Sequence, residues 1–156
     1  MIDSAIADFV EGAVMTVLAS RNESHHPAIG RGVGTRGAEG GRLLDTMVSR
    51  AQWPRLIGNL SPGDPLAATF VAPDDYRTYQ VKGVVEMIAP ATDDDRAVAL
   101  AYHRQIHRLL TSLGVTEGQI RFWLTDSDLY RLRYRPTDVF VQTPGPRAGS
   151  RLEPRP

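Results

Sequence analysis

The sequence predicts a mainly β domain: a six- or seven-stranded antiparallel barrel with peripheral helices. Short segments rich in β-branched residues follow one another along the chain. Turns that contain glycine, proline or asparagine separate them at hairpin distance. Helical periodicity is confined to a few segments, so the pattern does not favour the strand–helix–strand units of a parallel sheet.

Length and composition narrow the classes of function. The 156 residues correspond to one domain, which we assign to residues 1–143, with a flexible tail at residues 144–156. Eighteen basic and eighteen acidic residues give no net charge, which argues against a nucleic-acid partner. The absence of cysteine excludes disulfides, thiolate nucleophiles and iron–sulfur clusters.

The amino-terminal region does not resemble a targeting segment. It carries acids rather than a basic stretch before its apolar residues, and every charge-free run is far shorter than the roughly 20 residues of a membrane span. We therefore expect a cytoplasmic protein with no membrane partner.

The first part of the chain predicts a helix and then three strands. Ile6, Phe9 and Val10 lie at helical spacing behind a candidate cap at Asp3, which predicts a helix over residues 3–11. The strands are predicted at residues 13–20, 28–36 and 42–48. Glycines between the second and third strands suit a tight hairpin, because glycine adopts positive φ angles at little cost.

The rest of the chain alternates between helices and strand pairs. Ser49 is a candidate cap for a short helix that ends at Leu60, with Pro54 in its first turn. Acidic residues favour a helix start at Asp93, because they lie at the positive end of the helix dipole. The predicted strands are residues 66–72, 78–88, 129–135 and 139–143, and the predicted helices are residues 93–113 and 117–124.

Two motifs are better explained by structure than by chemistry. Residues 32–37 (GVGTRG) match the G-x-G-x-x-G string of dinucleotide-binding folds, but a hairpin rather than a helix follows them. These glycines therefore shape a strand and turn, or bring the backbone close to a ligand. His103 and His107 are spaced for one helix face, yet no third ligand accompanies them, so we predict no metal site.

A third set of residues suits a flat ligand that carries a phosphate. Arg31 lies in the middle of a predicted strand, while Ser49 and Arg50 lie at a strand-to-helix junction, where free amides, a hydroxyl and a guanidinium can bind phosphate. Gln80 and Lys82 fall on one face of a strand and can contact the polar edge of a heterocycle. The alternative is that the three cations are only exposed surface charges.

The segments that carry these residues resemble motifs of the pyridoxamine 5′-phosphate oxidase-like, FMN-binding split-barrel superfamily. Pro27 followed by Arg31 resembles its P-x-x-R segment. Residues 46–50 (TMVSR) resemble its T-N-x-x-S-R-K segment, and residues 77–83 (RTYQVKG) resemble its R-Q-V-R-x-x-G segment. The likeness runs from about residue 13 to residue 83, and the order of elements agrees through residue 143.

The resemblance implies a split barrel that forms a homodimer and binds FMN at the subunit interface. It implies that Arg31, Ser49 and Arg50 bind the phosphate, while Gln80 and Lys82 face the ring. The expected function is that of a flavin-dependent oxidoreductase, pyridoxamine phosphate oxidase-like or flavin-reductase-like, which acts on a small-molecule substrate or electron donor. The sequence identifies no catalytic residue.

Other cofactors remain open at this point. A deazaflavin in place of FMN is one alternative. A non-catalytic haem- or flavin-binding barrel is a second reading, and its haem ligand would come from a histidine: His25, His26, His103 or His107. A third reading is a cofactor-free dimeric interaction module, which is suggested by Ala51, because the oxidases carry a phosphate-binding lysine at that position.

Overall fold

Six antiparallel strands close into a barrel in the order β1-β2-β3-β6-β5-β4. The structure is a computed structural model that describes residues 2–152. The strands are β1 Met15–Arg21, β2 Pro27–Ala38, β3 Leu43–Ser49, β4 Pro65–Val71, β5 Thr78–Pro90 and β6 Leu129–Val141. The barrel closes because β1 pairs with both β2 and β4, so the predicted fold class is confirmed.

We predicted two strands at residues 129–135 and 139–143, but the structure has the single strand β6, Leu129–Val141. Pro136 lies between the two predicted segments and has no backbone N–H group to donate to a neighbouring strand. The strand instead continues through an irregularity: Lys82 pairs with Asp138, but Gly83 pairs with Pro136, so Thr137 is extra in the register. The barrel therefore has six strands rather than seven.

Within residues 2–152, four α-helices pack around the barrel: α1 Ser4–Glu11, α2 Pro54–Gly58, α3 Asp93–Ser112 and α4 Glu117–Trp123. The expectation that Ser49 caps α2 is wrong. Ser49 is the last residue of β3, and its hydroxyl accepts the N–H of Gln52 (3.1 Å) in a turn that precedes the helix. The helix begins at Pro54, where the absent N–H costs no helical hydrogen bond.

The core lies on both sides of the barrel wall. The interior is filled by large residues, among them Leu18, Leu44, Phe70, Val81, Leu132 and Tyr134. Helix α1 closes one end with Ile6 and Val10. Outside the barrel, α3 packs Tyr102 and Ile106 against β2 and β3. Helix α3 thus covers one side of the barrel.

The glycines of β2 permit close packing, in agreement with their predicted role in shaping the strand. Gly32 faces the interior, where an added Cβ would lie 2.7 Å from Thr46 Cγ2. Gly34 has φ +115°, and its Cβ would lie 3.2 Å from that of Tyr102 on α3. Helix and strand therefore approach more closely than a larger residue would allow.

The segment after β6 folds back along that strand as far as the structure describes it. The N–H of Leu152 donates to the carbonyl of Val139 (2.8 Å), and Arg151 pairs with Asp138 (2.6 Å). The last four residues of the tail that we predicted to be flexible, 153–156, lie outside the described residues. No helix within residues 2–152 is long and apolar enough to cross a membrane.

A buried ion-pair network ties α3 to the barrel. Asp45 on β3 and Asp95 at the start of α3 are both fully buried. Arg36 contacts both carboxylates, at 3.5 and 2.6 Å respectively. Arg133 donates two hydrogen bonds to Asp45 (2.6 and 2.8 Å), and Arg131 lies 3.4 Å from Asp95. Each buried carboxylate therefore has charged partners, as burial requires.

The surroundings of Asp95 favour its charged form. Burial alone would raise the pKa of Asp95. Hydrogen bonds with the backbone and the side chain of Thr92, together with the charges of Arg131 and Arg36, outweigh this effect, so the pKa lies below its ordinary value. Asp95 also completes a capping box, because its carboxylate accepts the N–H of Thr92 (2.9 Å). The charged carboxylate thus stabilises the folded state.

We expect Asp95→Asn to lower the free energy of unfolding by about 2–4 kcal/mol, because Arg131 loses its buried carboxylate and Arg36 keeps only its longer contact with Asp45. The stability contributed by the carboxylate is present above its ordinary pKa of about 3.9 and is lost as the pH falls through the lower folded-state value. Urea unfolding between pH 3 and pH 7 measures both effects.

Asp94→Asn is the matched control, because Asp94 is an exposed neighbour in the same helical turn. It loses only an interaction with the helix dipole and should cost well under about 1 kcal/mol. Equal losses in the two variants would show that the network does not hold α3.

Candidate functional site

Two rows of outward-facing residues cross the sheet from β2 to β5. Leu18, Ala68 and Val81 belong to the interior core, so their strand neighbours face outward. Cross-strand pairing joins Arg31, Val17, Thr69 and Gln80 in the first row. It joins Ile29, Ala19, Ala67 and Lys82 in the second row. We call these two rows the β1–β4 face.

The β1–β4 face has the length of an extended small molecule. Neighbouring strands lie about 4.8 Å apart, so the three steps from Arg31 to Gln80 span about 14 Å of curved surface. Between the two ends the side chains are small or weakly polar, such as Ala19 and Thr69. A flat group could therefore lie against the strands.

Among the described residues, the cations at both ends of this face have no carboxylate partner. Within residues 2–152, neither Arg31 nor Lys82 forms a salt bridge, and each lies over an aromatic ring instead. The Arg31 guanidinium carbon is 5.2 Å from the centre of the Trp123 ring, and Lys82 Nζ is 4.9 Å from that of Phe140. The positive charge at the two ends thus remains available to an anion.

The Lys82 end of the face contains an open cavity of about 410 Å³. Ala19, Ala67, Lys82 and Asp138 contribute to its lining. Its size falls within the range of small-molecule sites, roughly 300 to 1,000 Å³. A larger polar groove of about 640 Å³ lies between residues 21–25 and 58–65; its lining includes His25, one of the candidate haem ligands, but none of the predicted flavin-binding residues.

Gln80 faces this region from β5, as the alternation of the strand predicts. Its Nε2 donates to the hydroxyl of Thr69 across the strand pair (3.2 Å). This hydrogen bond fixes the orientation of the amide and leaves its oxygen free of described side-chain partners. Gln80 and Lys82 are thus brought to the same end of the face.

Ser49 lies beside Arg31 but is enclosed. Gly32 pairs with Val48, which puts Arg31 and Ser49 next to each other one residue further along the two strands. The Ser49 side chain is almost fully buried, and its hydroxyl donates to the carbonyl of Ser127 (2.7 Å). In this conformation the hydroxyl is not accessible to a ligand.

Arg50 is bound by residues that follow α4. Its Nε and Nη2 donate to the carboxylate of Asp128 (2.9 and 3.4 Å), and its Nη1 donates to the Tyr130 hydroxyl (2.8 Å). The hydrogen bond and charge of Asp128 raise the pKa of Arg50. The structure thus brings Arg31 and Ser49 together on neighbouring strands. Arg50 is the next residue in the chain, and its side chain binds Asp128.

Sequence reasoning missed Trp123, Asp128 and Tyr130, all of which contact predicted site residues. Arg50 and Asp128 are separated by 78 residues, and no local pattern links them. An acid that follows a helix and precedes a strand has the ordinary appearance of a turn residue. Only the pairing of β3 with β6 brings Asp128 to Arg50.

The histidines lie away from the β1–β4 face. His107 Nε2 contacts Glu117 Oε1 (3.0 Å), and His25 and His26 are exposed in the β1–β2 turn. His103 is half-buried on α3; burial lowers its pKa despite the opposing charge of Asp126. Across the described chain, no three His, Cys, Asp or Glu residues form a group suited to a metal ion.

The comparisons with known proteins identify the fold. No protein-family model matches the sequence, and no curated protein does. An F420 reductase structure gives a TM-score of 0.54 at 20% identity, over 88% of this chain and 98% of its own. A candidate pyridoxamine 5′-phosphate oxidase from Lactobacillus delbrueckii gives 0.54 at 11% identity, over 90% and 93%.

A third structure carries a different cofactor in its name. HutZ, the heme storage protein of Vibrio cholerae, matches with a TM-score of 0.51 at 11% identity, over 89% of this chain and 93% of its own. Identities this low establish a common fold and not a common ligand. This chain therefore has the split-barrel fold of the pyridoxamine 5′-phosphate oxidase-like proteins.

Proposed function

We propose that the protein is a flavin-dependent oxidoreductase that binds FMN on the β1–β4 face. The observation that carries this proposal is the face itself: Arg31 and Lys82, without carboxylate partners among the described residues, flank a smooth surface about 14 Å long. An elongated, flat and anionic ligand fits such a surface. The names of two structural neighbours, an F420 reductase and a candidate pyridoxamine 5′-phosphate oxidase, support a flavin-type cofactor.

The residues present suit the two ends of FMN. In this proposal Arg31 holds the phosphate through charge-assisted hydrogen bonds. Ser49 and Arg50 join it once their hydrogen bonds to Ser127 and Asp128 are broken. Gln80 and Lys82 contact the polar edge of the ring. When bound, the flavin supplies hydride or electron transfer, and the chain contributes orientation and charge.

A second copy of the chain completes the site in this proposal. An open sheet face covers only one side of a flat ligand, whereas small-molecule sites usually bury 70–90% of the ligand surface. Ile29, in the second row, is 62% exposed although it is a large apolar residue. A homodimer that packs through the β1–β4 face would cover both Ile29 and the ligand.

Haem binding is the second candidate. It is suggested by the fold shared with HutZ and by His103, whose Nε2 is buried and lacks a hydrogen-bond partner among the described residues. Burial lowers the pKa of His103, which favours the neutral imidazole that metal ligation requires. His103 lies on α3, however, and not on the β1–β4 face.

The absorption spectrum of the purified protein tests the proposed function. We expect flavin bands, or flavin bands after the protein is incubated with FMN. A Soret band would instead support haem. A spectrum with neither flavin bands nor a Soret band would support the cofactor-free interaction module, which Ala51 suggests.

We expect Arg31→Ala to weaken FMN binding about ten- to hundredfold, because a charge-assisted hydrogen bond contributes about 1.5–3 kcal/mol. Quenching of flavin fluorescence measures the affinity. Arg55→Ala, which removes an exposed arginine on α2 that belongs to neither row of the face, is the matched control and should bind FMN normally. Normal affinity in Arg31→Ala would remove Arg31 from the site.

We expect Lys82→Met to lower the midpoint potential of the bound flavin by about 10–30 mV, which corresponds to about 0.5–1.4 kcal/mol for a two-electron couple. An ammonium beside the ring stabilises the negative charge that reduction adds. Lys82→Arg keeps the charge and should keep the potential. Equal potentials in the wild type and Lys82→Met would show that water screens Lys82 from the ring.

We expect the protein to scatter light as a dimer of twice 17.2 kDa, and Ile29→Lys to shift it toward the monomer. The reason is that a charge replaces the exposed apolar residue of the face. Leu100→Lys, a matched change on the exposed side of α3, should leave the dimer intact. A wild-type monomer that binds FMN at full stoichiometry would contradict an interface site.

A further inference from the structure

The loop between α4 and β6, residues 124–128, covers the end of the face where the phosphate is proposed to bind. Its Ser127 carbonyl accepts the hydroxyl of Ser49 (2.7 Å). Its Asp128 accepts twice from Arg50: the carbonyl from the backbone N–H (3.0 Å) and the carboxylate from the guanidinium (2.9 Å). Two of the three proposed phosphate ligands, Ser49 and Arg50, therefore already donate hydrogen bonds to this loop.

The carboxylate of Asp128 takes the place that a phosphate would take at Arg50. Two of its oxygens accept from two nitrogens of one guanidinium, which is the two-point arrangement that arginine also offers to phosphate. The side chains are 50% and 37% exposed, so water and salt weaken the pair. A more highly charged anion could displace it.

The packing of the last turn of α4, just before the loop, against the β3–α2 turn is incomplete. Gln52 donates from Nε2 to the carbonyl of Phe122 (2.7 Å), but its Oε1 is buried without a hydrogen-bond partner in the described structure. An unsatisfied buried oxygen costs free energy in this conformation. This cost opposes the hydrogen bond between Gln52 and the helix that leads into the loop.

We propose that Asp128 is a specificity-determining residue: its carboxylate competes with the ligand phosphate for Arg50 and lowers the affinity for FMN relative to riboflavin. The inference rests on the proposed function, because it needs a flavin whose phosphate points toward Arg31 and Arg50. Two anions compete for one guanidinium, so the phosphate either displaces the carboxylate or binds beside it against repulsion. Riboflavin has no phosphate and avoids this competition.

The test compares FMN and riboflavin binding to the wild type and to Asp128→Asn by fluorescence quenching. Asparagine keeps the shape of the side chain and tolerates the left-handed backbone of this position, φ +49°. We expect FMN affinity to rise about two- to fivefold, which corresponds to the free energy of an exposed ion pair. Riboflavin affinity should stay the same. The gain should shrink as salt is added.

Asp126→Asn is the matched control. It removes the same charge from the same loop, and Asp126 forms no salt bridge within residues 2–152. It should leave the ratio of FMN to riboflavin affinity unchanged. If melting curves show that Asp128→Asn is poorly folded, Asp128→Gly also suits a positive φ and replaces it.

Three results would overturn the inference: an unchanged ratio in Asp128→Asn, a weaker FMN affinity in that variant, or an equal gain in Asp126→Asn. The second would mean that Asp128 orients Arg50 for the ligand. Failure of the proposed function looks different, because the wild type would then bind neither flavin, and the inference would fall with it.

Discussion

The two buried carboxylates of Asp45 and Asp95 decide which side of the barrel is covered. Each needs a positive partner inside the protein, because an unpaired buried charge is far more costly than an exposed one. Arg36 contacts both of them, one on β3 and one at the start of α3, and so holds the helix against the strands. Since α4 follows α3 after a short turn, these two helices pack together on this side of the barrel.

The β1–β4 face in turn depends on strand register. Because side chains alternate along a strand, a slip of one residue would turn Arg31 and Lys82 into the interior and the core residues outward. The packing of the interior prevents such a slip. The side chains of Thr46 and Thr16 already fill the space beside Gly32, and Leu18 and Val81 fill the centre of the barrel. The packing of the core thus fixes the positions of charges that lie outside it.

Local patterns predicted the elements and the faces of residues within one strand, but not contacts between distant segments. Alternation along β5 was enough to put Gln80 and Lys82 on one side, since that inference needs only the geometry of a single strand. Asp95 was predicted as part of an acidic helix start; its burial between arginines depends on β2 and β6, which lie far away in the sequence. The Arg50–Asp128 pair has the same origin, and so does the irregularity at Thr137 that joins two predicted strands.

The two ends of the face differ in whether their cations are paired with carboxylates. At the Lys82 end, the nearby acid Asp138 is paired with Arg151 across 2.6 Å, so Lys82 keeps its charge available. At the other end, Asp128 neutralises Arg50, although Arg31 close by has, among the described residues, an aromatic ring rather than a carboxylate as its partner. An anion that approaches the face would therefore meet an unpaired cation at the Lys82 end, and beside Arg31 an arginine that is already paired. If FMN binds as proposed, displacing Asp128 reduces the net gain from the phosphate, so ring contacts would contribute a larger share of the affinity than the number of arginines suggests.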